Sequence, residues 1–232
     1  MEKIVILTGA GISAESGLST FRDEGGLWAQ HRIEDVATPE AFARDPALVQ
    51  GFYNARRVQA AKVQPNAAHQ ALARLQRDWS GDVIIVTQNI DNLHAAGGAV
   101  DVIHMHGSLD GALCAACGHR WTAPPEMAVG EPCPACDAPT ARPDVVWFGE
   151  MPYRMDEIYD HLAGASIFAA IGTSGQVYPA AAFVHEAQAA GARTVEINLE
   201  PSCATAGFDD RITGKATKAV PQWVDHLLLQ RI

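Results

Sequence analysis

KIVILTGAGISAESGLSTFRDEGGLW, Lys3 to Trp28, is the stretch on which the fold turns. Ile4 to Leu7 is an apolar run of the kind that makes a buried parallel strand, and it stops at Thr8-Gly9-Ala10-Gly11, where small residues let another group come close to the backbone. Ile12 to Ser16 reads as the first turns of a helix. A strand, a glycine turn and a helix N-terminus together predict an anion site, with free backbone N–H groups and the positive end of the helix dipole facing outward.

The chain has 232 residues, enough for one sizeable core or one large domain with a small insertion. Hydrophobic content of 48% and charged content of 19% are those of a folded protein. A net charge of -10 argues against sequence-independent binding of nucleic acid, which depends on a basic surface, while leaving lysine-rich peptides as partners. All apolar runs are strand-length and no signal-peptide pattern is seen, so the expectation is a cytoplasmic protein with no membrane association.

Strand patterns recur at 82–87, 100–105, 166–171 and 193–198, separated by helical patterns at 39–43, 46–63, 66–79, 156–162, 180–190 and 221–229. The segment from Gly25-Gly26 to Thr38 is too polar and irregular for a strand and reads as a loop. Residues 108–144 change character, with four cysteines and several prolines, and read as a compact inserted module, after which Val145 to Phe148 resume the main core. Alternating strands and helices predict an α/β fold with a doubly wound parallel sheet, whose ligands lie beyond the carboxyl ends of the strands. Those ends carry Gly9-Ala10-Gly11, Gln88-Asn89-Ile90-Asp91, His106, Gly172-Thr173-Ser174 and Asn198-Leu199-Glu200.

Gly9-x-Gly11-x-x-Ala14 fits the dinucleotide fingerprint formally, but glycine turns after strands are also common punctuation. The acidic ribose anchor of a dehydrogenase should end a second strand, and Glu34 and Asp35 do not, which disfavours hydride transfer. Cys114-x-x-Cys117 and Cys133-x-x-Cys136, fifteen residues apart, match a four-thiolate zinc ribbon, closed and therefore structural; Cys203 reads as incidental. Of His94, His104 and His106, position at the strand's end favours His106 as a general base. From spacing alone, Asn89 and Asp91 are equally turn formers, and Tyr53 and Arg56 an aromatic and a charge sharing one helix face.

Taken together the chain resembles a sirtuin, an NAD-dependent protein-lysine deacylase, and in particular the class III and bacterial members. The motifs are GAGISAESGLSTFR (Gly9 to Arg22), TQNIDNLH (Thr87 to His94), His106-Gly107, the paired C-x-x-C, RPDVVWFGE (Arg142 to Glu150), GTSGQVYPA (Gly172 to Ala180) and INLE (Ile197 to Glu200), in family order. The resemblance implies a Rossmann-like NAD-binding domain (1–28, 65–107 and 145–232). It also implies a smaller domain made of a helical insertion (29–64) and the zinc ribbon (108–144). NAD, consumed as a co-substrate, would meet an acyl-lysine protein or peptide in the cleft between them.

Carried over by the resemblance, Gly9, Ala10, Gly11, Ile12, Ser13, Glu15, Ser16, Thr20, Phe21, Arg22 and Trp28 would wrap the pyrophosphate and the nicotinamide ribose. The tail from Thr20 to Trp28 would be a mobile cofactor loop. Asn89, Ile90 and Asp91 would line the nicotinamide pocket and Gln88 would contact ribose. Gly172, Thr173, Ser174, Asn198, Leu199, Glu200 and Ala216 would hold the adenosine half. His106, with Asn89 and Asp91, would carry the catalysis, releasing nicotinamide and O-acyl-ADP-ribose. Val145, Val146, Trp147, Phe148 and Gly149 would receive the extended peptide by β-strand addition.

Tyr53 and Arg56 match the Y-x-x-R pair of sirtuins that remove succinyl and malonyl groups. A guanidinium in an apolar tunnel pairs with a distal carboxylate and the phenol adds a hydrogen bond. Ala37 would leave room for the longer chain, and deacetylation would be retained. Arg57, about 100° around the helix from Arg56, would not be the reader. A mono-ADP-ribosyltransferase and a non-catalytic NAD- or acyl-lysine-binding module are the alternatives. Monomeric assembly is compatible with the sequence.

Overall fold

The computed structural model describes residues 2–18, 31–204 and 207–229. The expected cofactor loop, with Thr20, Phe21, Arg22 and Trp28, lies outside the described residues. Strands β1 (Ile4–Thr8), β2 (Val83–Thr87), β3 (Ile103–His104), β4 (Gly107–Cys114), β5 (Arg120–Thr122), β6 (Ala141–Val145), β7 (Ile167–Ile171), β8 (Arg193–Asn198) and β9 (Asp210–Thr213) form two sheets. The larger has the order β3-β2-β1-β7-β8-β9 and is parallel throughout; the smaller, β5-β4-β6, is antiparallel.

β1 shows why the sheet is covered on both sides. All five residues are buried, and its alternating side chains enter opposite layers. Ile4 and Ile6 join Leu72, Leu75 and Val224 from helices Ala67–Asp78 and Ala216–Leu229. Val5 and Leu7 join Ile158, Leu162 and Phe183 from helices Met155–Ala163 and Phe183–Ala189. The strand order reverses between β1 and β7, so the crevice between their ends is the topological switch point of the sheet. Glycines make that junction possible: a Cβ on Gly172, at φ +63°, would lie 2.5 Å from the Ile12 nitrogen, and one on Gly9 would lie 2.8 Å from the Gly172 oxygen.

Several sequence expectations change. The opening helix is one turn, Gly11–Ala14, and the amides of Gly9, Gly11, Ile12 and Ser13 already donate to Ile171, Gly172, Gly9 and Ala10. These four amides of the expected cradle are therefore already used, two across the junction and two within the turn itself, and a single turn carries little dipole. The third strand is Ile103–His104 rather than 100–105, because the backbone of exposed Val100 is held at both ends by the Gln76 side chain and Asp101 is left-handed at φ 49°. The expected loop before Thr38 contains a short helix, Ile33–Val36. The last helix starts at Ala216, with Pro221 inside it, and β9 is an unanticipated edge strand. The alanine-rich segment divides into a tighter turn, Ala180–Ala182, and helix Phe183–Ala189.

Val145 and Trp147 do not resume the main core. They pack with Val36, Ala37, Phe52 and Tyr53 from the helical segment, in a separate cluster. Val145 also closes β6 opposite Gly107. The sequence run is apolar either way, so composition cannot say which layer receives it.

Candidate active site

A cleft of about 620 Å³ lies beyond the carboxyl ends of the parallel strands. One wall is the switch-point junction and the ends of β2, β7 and β8; the other is built by helix Pro46–Ala60 and the segment after β6. Gly9, Ala10, Gly11, Ser13, Gln88, Asn89, Ile90, Asp91 and His106 line it, as do Gly172, Thr173, Ser174 and Asn198. So do Ala37, Tyr53, Arg56, Val145, Val146, Trp147, Phe148 and Gly149.

Among the described residues, six expected ones do not line it. Ile12 is fully buried in the main core. Ser16 accepts from Asn66, and Glu15 accepts from the amide and hydroxyl of Thr217, capping the last helix. Leu199 and Glu200 are exposed beyond the end of β8, and Ala216 packs against the core. Conversely, Leu18, Ile33, Glu150, Pro152 and Gln176 to Tyr178 line the cleft without having been singled out. For Leu18, Glu150 and Gln176 to Tyr178 the sequence carries the signal, since all sit inside motifs whose other members face the cleft.

Ser13 is the hub of the innermost polar network. Its hydroxyl accepts from Asn89 Nδ2 at 3.2 Å and donates to Asp91 Oδ2 at 3.1 Å. Asp91 Oδ1 accepts from the Leu93 amide, and Asn89 Nδ2 also donates to the Gly9 carbonyl. Burial pushes the Asp91 carboxyl above its usual range, against the Leu93 amide and the Ser13 hydroxyl, which favour the ionised form.

His106 Nδ1 lies 3.1 Å from the Gln88 carbonyl. A carbonyl only accepts, so Nδ1 carries the proton and Nε2 keeps its lone pair for the cleft. Burial lowers the pKa of this imidazole, with the carbonyl bond a smaller opposing effect, so at neutral pH it is a ready proton acceptor. The competing histidines are placed elsewhere. His104, the last residue of β3, has Nδ1 3.4 Å from the Asn89 carbonyl and does not line the cleft. His94 is fully buried, 2.9 Å from the Thr8 hydroxyl, and is pushed down to about 3 by burial.

Tyr53 and Arg56 lie one helical turn apart on Pro46–Ala60 and both reach the cleft. Burial raises the Tyr53 phenol to about 12, so it is protonated at neutral pH. Burial lowers the pKa of Arg56, with Tyr53 and Asp91 opposing. Arg57 turns away: its guanidinium donates to the Leu109 carbonyl, the Asn54 side chain and Met127 Sδ.

The four cysteines meet at one point, all Sγ atoms lying within 4.8 Å of one another. Cys114–Cys136 and Cys117–Cys133 are 3.7 and 3.8 Å apart. A tetrahedron with Zn–S bonds of ~2.3 Å has edges of ~3.8 Å, so the set fits one zinc ion closed by four thiolates. None of the four lines the cleft, and a closed shell leaves no position for substrate, so the zinc site is structural. Cys203 is exposed rather than packed, and accepts from Gln176 Nε2 at 3.0 Å.

With this geometry in place, comparison with known proteins gives the family. Residues 9–179 match the model of the Sir2 family. The NAD-dependent protein deacylase of Vibrio parahaemolyticus is 56% identical over 228 residues, covering 97% of this chain and 95% of that protein. A Sir2 homolog solved as its NAD complex superposes with a TM-score of 0.90 at 37% identity, over 99% of this chain and 90% of that one. Sir2Af2, solved bound to a myristoylated histone peptide, gives a TM-score of 0.76 at 32% identity, over 99% and 92%. The chain belongs to the Sir2 family, the sirtuins. No helix among the described residues is long and apolar enough to cross a membrane.

Proposed function

We propose that this chain is an NAD-dependent protein-lysine deacylase that removes acidic acyl groups, such as succinyl and malonyl, as well as acetyl. The observation that carries the acyl assignment is the position of Tyr53 and Arg56 on the same cleft as His106, Asn89 and Asp91. When bound, NAD supplies a ribose that gives up nicotinamide and takes the acyl group. The residues of the chain do the rest. Asn89 and Asp91, tied through Ser13, shape the nicotinamide pocket. Gln88 and Asn198 are both anchored to Thr173, at 3.3 and 2.8 Å, and hold the ribose and adenosine side. His106 accepts a ribose hydroxyl proton at Nε2 while Nδ1 stays on the Gln88 carbonyl.

The peptide wall has limited capacity for strand addition. The amides of Val146, Trp147 and Phe148 already donate to the His106 carbonyl, Glu150 Oε2 and the Ala37 carbonyl. The carbonyls of Val145 and Trp147 are also used, by Arg142 and the Glu150 amide. Alternate carbonyls, those of Val146 and Phe148, are what an extended acyl-lysine peptide would engage. The zinc ribbon anchors the start of β6 and so supports this wall.

The test compares Arg56→Met with the parent on succinyl-lysine and acetyl-lysine versions of one peptide. Loss of a buried charged hydrogen bond should cost ~1.5–3 kcal/mol, or about 10- to 150-fold, on succinyl only. An equal loss on both peptides would sink the carboxylate-pairing assignment.

A further inference from the structure

Tyr53 and Trp147 are 1% and 2% exposed, and Trp147 Nε1 donates to the Tyr53 oxygen at 3.0 Å. An indole N–H only donates, so it occupies a lone pair of the phenol and leaves the phenolic proton to point elsewhere. Among the described residues Tyr53 makes no other hydrogen bond, and the cleft it lines is where an acceptor for that proton would arrive. Trp147 is itself held from several sides. Its amide donates to Glu150 Oε2 at 2.8 Å, the Arg142 guanidinium lies over its ring at 3.6 Å, and Phe42 packs at 5.2 Å. Arg142 and Glu150 are in turn joined by a bidentate ion pair at 2.6 and 2.8 Å, which fixes both supports of the indole.

We propose that Trp147 is a specificity-determining positioning residue, whose indole N–H turns the Tyr53 hydroxyl so that its proton meets the distal carboxylate of an acidic acyl chain. This rests on the acidic-acyl assignment of the same cleft. Without the indole donor the phenol is free to rotate, and its proton is no longer committed to the carboxylate. An acetyl group presents no acceptor at that depth. The effect therefore belongs to the ratio of kcat/KM on succinyl-lysine to that on acetyl-lysine, where any loss common to both substrates cancels.

The experiment uses the full zinc-loaded chain with NAD and matched succinyl- and acetyl-lysine peptides. Trp147→Phe should lower the ratio about fivefold, carried by a higher KM for the succinyl peptide. The double variant with Tyr53→Phe should give the same ratio as Tyr53→Phe alone, because the indole acts only through the phenol. Benzothienylalanine at position 147 keeps the indole shape without the N–H, and should reproduce the fall even if Trp147→Phe is poorly folded. An unchanged ratio with benzothienylalanine, or a double variant whose fall is the product of the two single falls, overturns the proposal. Arg56→Met distinguishes the two levels. If its ratio falls while the Trp147 variants keep theirs, the positioning role alone fails; if its ratio does not fall, the acidic-acyl assignment fails and takes this one with it.

Discussion

Acid should destabilise this protein through two histidines that the chemistry does not use. His69 and His94 are both fully buried, with ring centroids 5.0 Å apart. His69 Nδ1 accepts from the Asn66 amide and its Nε2 faces the Ser13 hydroxyl; the Nε2–H of His94 donates to Thr8, whose own proton goes to Thr87. Among the described residues neither ring has a buried acceptor for a second proton, and burial pushes the two pKa values to about 4 and about 3 from an ordinary 6.5. Because the folded values are depressed, their contribution to stability is fully present above pH 6.5 and is lost as pH falls toward 4 and 3.

Between pH 7.5 and 5 each histidine should remove ~2 kcal/mol, together ~4 kcal/mol out of a typical ~5–15 kcal/mol. The buried Asp91 carboxyl, raised above its usual range, acts in the opposite sense, so the histidine effect is isolated by difference. Urea unfolding at several pH values would be compared for the parent and His94→Gln, which keeps an N–H donor for Thr8. The variant should lose ~2 kcal/mol less on going from pH 7.5 to 5. If the two pH dependences coincide, His94 is not buried as a neutral ring and the reasoning is wrong.

Other consequences follow from the same geometry. The pH profile of kcat/KM should show an acid limb below pH 6.5, because protonated His106 cannot accept a proton and its pKa is lowered by burial; His106→Ala should remove that limb along with at least ~100-fold of the rate. Gly172→Ala should destabilise by ~2–4 kcal/mol, read as a lower Tm, since φ +63° and a 2.5 Å approach to the Ile12 nitrogen both oppose a Cβ. Metal analysis should find one zinc per chain, and Cys133→Ser should lose it and raise KM for the peptide more than for NAD, because the ribbon supports β6 but does not touch the junction.

Much of this arrangement is legible in the sequence because local chemistry dictates it. β1 is apolar from Ile4 to Leu7 since helices cover both faces, and the cysteine spacing reports a closed metal shell directly. The glycines of the junction were legible as a close approach, but not its cause. They let the turns after β1 and β7 pack backbone to backbone, which takes the Gly11 amide, while those of Ile12 and Ser13 are used within their own turn. Trp147 shows the other limit. An indole in an apolar run reads as core, and only the fold puts its N–H on a phenol 94 residues away in sequence. β3 ends at His104, so position at the strand's end does not select His106; what selects it is that His106 lines the cleft with Nδ1 on the Gln88 carbonyl while His104 does not, a matter of tertiary register rather than composition.

NAD-dependent removal of an acidic acyl group is tested most directly by mass spectrometry of a succinyl-lysine peptide incubated with the full chain and NAD. Free lysine peptide, nicotinamide and O-succinyl-ADP-ribose should form in equal amounts, with an acetyl peptide also turned over. ADP-ribose attached to protein without any O-acyl-ADP-ribose, or no NAD-dependent loss of succinyl at all, would contradict it.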